Sequence, residues 1–459
     1  MGEQMTVQTL RDSLRGTVLE PGDEGYDDAR TVWNARVDRT PAVIARCSGV
    51  ADVITAVNVA REHDLPLSVK AGGHHVSGSA VCDDGLVVDL GAMDGIRVDP
   101  STRRVRVEAG ATWGGVDHET QAFGLAVPGG QDPNIGVAGL TLGGGVGWLS
   151  PKYGLTCDNL LSADVVTADG ELVHASEEEN PDLFWALRGG GGSFGIVTSF
   201  EFTLHEVGPE IFAGTLIYPH EELPDVLRYY REFMADAPRE VRVLFGSMEL
   251  PAASVYPESV HDSRAAMLVT FYAGAPEEGK RVLAPLRERG NPVMDSLRPR
   301  SYTAFQRVGD SEGSMRTDLR SQYLATVSEP AIQTLVEYAN RAPSAGATVF
   351  ISPWLGAETD PATDATAYPH RDPAHHLLIE ARWDDPERDD EHTAWVREFH
   401  EAMEPHTTGD VEMNFLTDDE SEARLRAAYG ENYGRLRRIK TEWDPENLFR
   451  TNRGIEPSS

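Results

Sequence analysis

SVKAGGHHVSG, residues 68–78, places two consecutive glycines and two histidines directly after a predicted strand, Leu67–Lys70. Consecutive glycines let backbone N–H groups point inward and approach an anion closely, which suits a pyrophosphate. A tight turn is the alternative explanation for a single glycine pair. The segment therefore predicts a strand followed by a loop that can bind a phosphate-containing ligand.

Two further glycine clusters follow, GVAGLTLGGGVG at 136–147 and GGGGSFGIV at 189–197. Three clusters in one region indicate a common cause, although each alone could be a turn. None is a Walker A loop, because no Gly-Lys-Ser/Thr ending is present. None has the Rossmann spacing, with an acidic residue about twenty residues further on. The sequence thus favours a nucleotide-binding arrangement outside these two common classes.

Outward from these loops, short strands alternate with amphipathic helices through the first two hundred residues. The predicted elements there are a strand at 41–46, helices at 50–63 and 181–187, and hairpins at 96–108 and 163–175. The middle, 206–408, has strand-like pieces between acidic helices: Met267–Tyr272, Thr348–Ser352 and His376–Arg382. Helices return at Glu420–Tyr429 and Tyr433–Trp443. The pattern predicts an α+β cofactor domain interrupted by a substrate domain.

Length, composition and charge limit the number of domains and the kinds of partner that are expected. The chain has 459 residues, enough for two domains, and a net charge of -33. Such a surface repels nucleic acid and anionic membranes, so neither is expected as a partner. Acid excess with only four lysines among 41 basic residues resembles proteins of salt-loving, halophilic organisms. Without a signal-like N-terminus or a long apolar run, we expect a cytoplasmic protein.

Cysteine usage gives no sign of a disulfide framework or a metal site. Cys47, Cys82 and Cys157 are far apart and lack metal-ligand spacing. Packing is the simplest role for each, and no metal is expected.

The motif Lys70-Ala71-Gly72-Gly73-His74-His75 resembles the Arg-Ser-Gly-Gly-His-Ser signature of a family of FAD oxidoreductases. This is the p-cresol methylhydroxylase and vanillyl-alcohol oxidase superfamily, and within it the berberine-bridge-enzyme-like group. Four more segments resemble that group in the same order: Ala138–Trp148, Lys152–Asp169, Arg188–Thr198 and Asn447–Ile455. The resemblance implies a PCMH-type FAD-binding domain of two subdomains, from residues 1–205 and 410–459 with its core at about 37–207. Residues 206–409 would form a substrate domain, an antiparallel sheet covered by helices.

In that family the histidine of the Gly-Gly-His signature bonds to the flavin 8α carbon, which implies covalent FAD at His74. A neutral imidazole is a competent nucleophile near neutral pH. The alternative is a hydrogen-bonded loop histidine with noncovalent FAD. Further FAD contacts are expected at Lys70, Ala71, Gly72, Gly73, His75, Ser79, Val137, Gly139, Thr141, Gly144, Gly147, Ile196, Val197 and Asn452. Of these, His75 could equally be a plain loop residue, and Asn452 a helix-terminus cap.

Many members of the group add a second link, from a cysteine in a Gly-x-Cys-Pro-x-Val-Gly pattern to flavin C6. Aligning that pattern with residues 130–136 puts Asp132 where the cysteine would be. Cys157 comes some 25 residues later, within another segment. The resemblance therefore implies one covalent bond rather than two.

Oxidation by flavin needs hydride transfer to N5 and a base for the substrate's proton. The family often has Tyr-x-Asn-Tyr near the C-terminus, where this chain has Glu412-Met413-Asn414-Phe415. We expect Glu412 to face the flavin as a base with a raised pKa, a surface position being the alternative. Asp132 is the second candidate. Ile135 matches a position where small residues are typical of oxidases and bulky ones of dehydrogenases.

The resemblance implies an FAD-dependent oxidoreductase that oxidises a small alcohol, sugar, amine or secondary metabolite, with O2 as acceptor. A dehydrogenase with another acceptor is one alternative, and a flavin-binding protein without turnover is the other. The middle region would hold specificity, with Trp354, Tyr302 or Arg382 as candidates to contact the small-molecule substrate. Nothing in the sequence indicates the oligomeric state.

Overall fold

The computed structural model describes residues 2–309, 313–372, 374–450 and 455–458. The strands are β1 Thr17–Leu19, β2 Val43–Arg46, β3 Leu67–Lys70, β4 Leu86–Asp89, β5 Ile96–Asp99, β6 Arg104–Glu108, β7 Leu125–Ala126, β8 Leu160–Val166, β9 Leu172–Ser176, β10 Ile196–Thr203, β11 His205–Glu206, β12 Glu210–Pro219, β13 Val241–Leu250, β14 Ser263–Tyr272, β15 Met294–Asp295, β16 Arg298–Ser301, β17 Arg316–Leu324, β18 Ala347–Trp354 and β19 Ala374–Trp383.

The α-helices are α1 Gly2–Ser13, α2 Tyr26–Arg30, α3 Val50–Glu62, α4 Trp113–Gln121, α5 Val137–Leu142, α6 Ser150–Tyr153, α7 Pro181–Leu187, α8 Leu223–Met234, α9 Pro276–Val282, α10 Ala284–Arg287, α11 Tyr302–Gln306, α12 Glu329–Asn340, α13 Asp389–Met403, α14 Glu422–Tyr429 and α15 Tyr433–Trp443. Short 3-10 turns lie between several of them, including one at Met413–Phe415.

The first two hundred residues form two sheets that share one apolar core. A four-stranded sheet has the order β1-β2-β4-β3, and a five-stranded antiparallel sheet has the order β5-β6-β10-β8-β9. Strands β2, β4 and β3 run parallel, which requires the crossover helix α3 between β2 and β3. The apolar side of α3, including Val53 and Val57, is buried in the core that both sheets contribute to.

The middle of the chain forms one large antiparallel sheet with the order β15-β12-β14-β13-β18-β19-β17, to which β16 is added beside β12. Successive side chains of a strand point to opposite faces. On β18, Val349 and Ile351 are buried in the core formed with helices α8, α12 and α13, whereas Phe350 and Ser352 point the other way. One face is thus covered by helices and the other faces the first region, which confirms the predicted α+β fold.

The C-terminal helix α15 returns to the first region and packs against α7. The buried ammonium of Lys440 donates to the carbonyls of Ser193 (2.8 Å) and Phe449 (3.2 Å). It also forms an ion pair of 2.5 Å with Asp444. A buried charge needs such partners, because desolvation is costly. This cluster ties the chain's end to the third glycine segment.

The short predicted elements agree well with the observed ones. Strand Leu67–Lys70, the hairpin of β5 and β6, and helices α7 and α15 have the predicted bounds. The predicted 163–175 hairpin is longer, because β8 begins at Leu160 and β9 ends at Ser176. Among the described residues, no helix is long and apolar enough to cross a membrane, and no group of side chains could hold a metal ion.

Candidate active site

A cavity of about 1260 Å³ lies between the glycine loops of the first region and the open face of the large sheet. It exceeds the range of about 300–1,000 Å³ that is usual for small-molecule sites. Its walls include loop residues 71–77 and 191–193, and residues from all eight strands of the large sheet. The cavity therefore has room for a large cofactor together with a small substrate.

His74 lies on the loop wall of this cavity, four residues after strand β3. Its imidazole stacks on the indole of Trp33, with 5.4 Å between ring centroids and 24° between planes. Burial lowers the pKa of His74, Asp132 opposes this by favouring the charged form, and Arg382 adds to the lowering. The imidazole is therefore neutral at neutral pH, the form in which a ring nitrogen is nucleophilic.

Two of the glycine loops touch each other through their backbones. A Cβ on Gly72 would lie 2.5 Å from the Gly136 nitrogen, and one on Gly136 would lie 2.6 Å from the Gly72 nitrogen. Gly73 has φ +65°, which L side chains rarely adopt. In contrast, a Cβ on Gly139 would meet nothing within 4 Å, although this residue lines the cavity. Glycine is thus required partly for loop packing and partly to leave the cavity open.

The structure brings nine of the predicted cofactor contacts to the cavity wall: Ala71, Gly72, Gly73, His74, His75, Ser79, Gly139, Ile196 and Val197. It places five others behind the wall, namely Lys70, Val137, Thr141, Gly144 and Gly147. The reason is local packing. The Lys70 ammonium donates to the carbonyls of Ala29 and Thr31 at 2.6 and 2.7 Å. Asn452 lies outside the described residues.

Three of the residues behind the wall have identifiable packing contacts. The Thr141 hydroxyl donates to the carbonyl of Val137 (2.7 Å), one helical turn earlier in α5. A Cβ on Gly144 would meet the ring of Tyr368 at 2.5 Å, and one on Gly147 would meet the Gly129 carbonyl oxygen at 1.7 Å. The fold itself therefore uses these positions for packing, and their contact with a cofactor stays a prediction.

Asp132 and Ile135 lie on the cavity wall, whereas no cysteine does. The Asp132 carboxylate accepts a hydrogen bond of 2.8 Å from the backbone N–H of Asn134. This bond fixes the side chain of Asp132 within its own turn. Cys157 is buried among Leu155, Tyr323, Trp354 and Tyr368, and burial raises the pKa of its thiol. The cysteine side chains are therefore packed inside the protein, as their spacing suggests.

Glu412 requires a correction to its predicted position. Its side chain does not line the cavity, where Met413, Asn414 and Phe415 form the wall instead. It is only 1% exposed, and its Oε2 accepts hydrogen bonds from the hydroxyls of Tyr323 (2.5 Å) and Tyr368. Burial raises the pKa of Glu412, and the two phenols oppose this. The surface alternative is wrong, because two tyrosines hold the carboxylate one layer behind the wall, whereas a role of Glu412 as base stays a prediction.

The sheet wall follows the two-residue period of its strands. On β19, His376, Leu378, Glu380 and Arg382 face the cavity. On β18, Thr348, Phe350, Ser352 and Trp354 do so, and the register pairs Ser352 with His376. Trp354 and Arg382, two of the predicted substrate contacts, both line the wall. Tyr302 does not, because it is buried against Phe271 and Phe305.

Arg242 and His376, which were not predicted from the sequence, form a polar end of this wall. The Arg242 guanidinium donates to Glu358 Oε1 at 2.6 Å and to the Ser352 hydroxyl at 2.5 Å. Burial lowers the pKa of His376 to about 3, which keeps it neutral. Arg242 Nε and His376 Nε2 are buried without a hydrogen-bond partner among the described residues. The sequence does contain a signal for His376, because polar residues lie at alternate positions of the predicted strand His376–Arg382. Arg242 lies on another strand and has no such signal.

Comparison with known proteins identifies the family. The FAD binding domain family matches residues 41–176, and the Berberine and berberine like family matches residues 413–456. The chain is 32% identical to (R)-6-hydroxynicotine oxidase of Paenarthrobacter nicotinovorans, over 97% of both chains. The chain belongs to the berberine-bridge-enzyme-like family of FAD-dependent oxidoreductases. It is also 31% identical to xylooligosaccharide oxidase of Thermothelomyces thermophilus, over 93% of this chain and 89% of that one.

Solved structures of this family have the same fold over almost the whole chain. The structure of 6-hydroxy-D-nicotine oxidase from Arthrobacter nicotinovorans superimposes with a TM-score of 0.87 at 30% identity, covering 97% of this chain and 99% of that one. Xylooligosaccharide oxidase from Myceliophthora thermophila C1, in complex with xylobiose, gives a TM-score of 0.87 at 25% identity, covering 100% of both chains. The family resemblance and the PCMH-type fold expected from the sequence are confirmed.

The residues on the loop wall fit FAD. Open space in front of Gly139 allows a flat ring or a phosphate to approach the backbone closely. Arg39 lines the cavity beside the first glycine loop and donates to the carbonyls of Gly78 (3.0 Å) and Val81 (2.8 Å). Among the described residues it has no carboxylate partner, so its charge can neutralise a pyrophosphate.

Proposed function

We propose that FAD is held by one covalent bond, from a ring nitrogen of His74 to the flavin 8α carbon, and that the protein oxidises a small hydroxylated molecule. The observation that carries this proposal is a half-buried, neutral imidazole on the wall of a cavity large enough for FAD. The packing of Cys47, Cys82 and Cys157 away from the wall supports a single bond.

When bound, FAD supplies the two-electron oxidation of a substrate C–H bond. The chain's own residues then have to bind the substrate and receive its hydroxyl proton. The apolar centre of the sheet wall, with Leu244, Phe350 and Leu378, would hold the carbon skeleton and exclude water. His376 is neutral and its Nε2 has no partner in the described part of the chain, so it can accept a hydrogen bond from a substrate hydroxyl. Asp132, on the opposite wall, is the alternative acceptor.

We propose O2 as the electron acceptor, because relatives spanning nearly the whole chain are named as oxidases. Ile135 on the cavity wall favours a second candidate, a dehydrogenase that passes electrons to another acceptor, since its side chain is bulky. Stoichiometric peroxide formation in air, measured as substrate is consumed, supports the oxidase. Substrate-dependent bleaching of the flavin without peroxide supports the dehydrogenase.

The test of the covalent bond is acid precipitation, followed by in-gel flavin fluorescence and peptide mass mapping. We expect a flavin-sized mass on the peptide that contains His74 and on no cysteine-containing peptide. His74→Ala should release all flavin into the supernatant, whereas His75→Ala should keep it bound. Flavin in the supernatant of the wild-type protein would overturn the bond, and a colourless protein would overturn the proposed function.

A further inference from the structure

Five arginines line the cavity of this strongly acidic protein: Arg39, Arg242, Arg298, Arg300 and Arg382. Two of them are matched by carboxylates on the large sheet's side, since Arg242 pairs with Glu358 and Arg382 with Glu380. Arg39 lies beside the glycine loop, where a pyrophosphate can neutralise it. Among these five arginines, the positive charge that has no such counter-charge therefore lies on Arg298 and Arg300.

Arg298 and Arg300 lie two residues apart on the edge strand β16, so their side chains share one face. They pair with Ala213 and Ile211 of β12, and their side chains reach the cavity. The Arg300 guanidinium stacks over the ring of Phe305, 5.5 Å from its centroid. This stacking fixes one guanidinium, while Arg298 is exposed at the edge of the cavity.

No carboxylate of the described residues forms an ion pair with either guanidinium. Arg300 Nε is buried without a hydrogen-bond partner among the residues that the structure describes. Burial and the charge of Arg298 both lower the pKa of Arg300, and no acidic group within the described ranges opposes them. Two like charges held side by side repel each other, so an anion between them would relieve the repulsion and satisfy a buried donor.

We infer that Arg298 and Arg300 form a binding site for an anionic group of the substrate, such as a carboxylate. The inference rests on the proposed function, because it names the substrate class of the same cavity. The remainder of the sheet wall carries no such excess. At its other polar end, Arg242 is already neutralised by Glu358 and His376 is uncharged. The substrate therefore has its charged group towards β16 and an uncharged oxygen towards Arg242.

The test is calorimetric titration of the flavin-loaded protein with benzoate and with benzamide, a matched anionic and neutral pair. At low salt, benzoate should bind about tenfold more tightly than benzamide, the usual order for charge-assisted hydrogen bonds. The double variant Arg298→Gln/Arg300→Gln should bind both ligands equally. Arg97→Gln removes a charge from an exposed strand elsewhere and should keep the tenfold preference.

Equal binding of the two ligands by the wild-type protein, undetectable benzoate binding, or a preference that persists in the double variant would each overturn the inference. These outcomes are separate from failure of the proposed function. Binding requires no turnover, and flavin content is measured independently on the same samples. A wild-type protein with covalent flavin and peroxide formation but no benzoate preference would oxidise a neutral substrate.

Discussion

The two walls of the cavity are formed in different ways, one by backbone and the other by side chains. The loop wall depends on backbone, because Gly72 and Gly136 touch where any Cβ would clash. The sheet wall depends on side chains, which alternate along β13, β18 and β19 between the helix-covered core and the cavity. A substitution in the loops therefore changes whether the cavity forms, whereas one on the sheet changes what the cavity binds.

This difference explains why one wall suits a cofactor and the other a substrate. Closely packed backbone offers N–H groups at fixed positions to a ligand of constant shape. Side chains at alternate strand positions can be exchanged without disturbing the ladder of backbone hydrogen bonds. The family's relatives are named for substrates as different as a hydroxynicotine and a xylooligosaccharide, while the fold stays the same.

The largest effect is expected from a single methyl group on the loop wall. Gly72→Ala places a Cβ 2.5 Å from the Gly136 nitrogen, so the loops must separate. Overpacking against backbone should cost about 3 kcal/mol of unfolding free energy and most of the bound flavin. Gly139→Ala is the matched control, because its Cβ meets no protein atom within 4 Å. Denaturant unfolding and flavin content measure both effects.

Gly139→Ala should unfold at the same denaturant concentration as the wild type, or a slightly higher one, because alanine favours the helix α5. It should nevertheless hold less flavin, since the added methyl group occupies the cavity. If both variants lost stability equally, the distinction between packing glycines and cavity glycines would be wrong.

A smaller loss of stability is expected from substitution of Glu412, which lies behind the cavity wall. Glu412→Ala leaves one of the buried hydroxyls of Tyr323 and Tyr368 without an acceptor, because the two can still bond only to each other (2.7 Å). This unsatisfied buried group and the space left behind should lower the free energy of unfolding by about 2–3 kcal/mol. Glu412→Gln keeps an acceptor oxygen and should retain most of that stability. Chemical denaturation of the three proteins, with turnover measured in parallel, provides the comparison.

The turnover of the glutamine variant decides what Glu412 does. A positioning residue should keep most of its turnover when the amide replaces the carboxylate, because the tyrosines stay in place. Complete loss of turnover, with stability and flavin unchanged, would show instead that the carboxylate takes part in the proton transfer.

The loop wall was predictable from the sequence because its signal is local. Strand β3, the glycines and His74 lie within eight consecutive residues, and each residue type has a backbone reason for its place. The position of Glu412 was not predictable, because its partners Tyr323 and Tyr368 come from segments 89 and 44 residues away. The contacts of the Lys70 ammonium were not predictable for the same reason, since its acceptors are carbonyls some 40 residues earlier.

The smallest expected effect is a loss of stability at low pH that comes from His376 on the sheet wall. His376 is 7% exposed, and burial lowers its pKa from 6.5 to about 3 in the folded protein. The unfolded chain binds a proton near pH 6.5, so the stability from a neutral imidazole is present above that pH and is lost as the pH falls. At about 1.4 kcal/mol per pH unit below 6.5, the loss reaches about 2 kcal/mol at pH 5.

His376→Gln removes the titrating group and keeps a polar side chain of related shape. Its free energy of unfolding should therefore fall by about 2 kcal/mol less than that of the wild type between pH 7 and pH 5. His63→Gln, at an exposed position, should leave the wild-type difference unchanged. Parallel pH slopes for the wild type and His376→Gln would mean that the imidazole is solvated rather than enclosed, and His376 could then not be the dry hydrogen-bond acceptor assigned to the sheet wall.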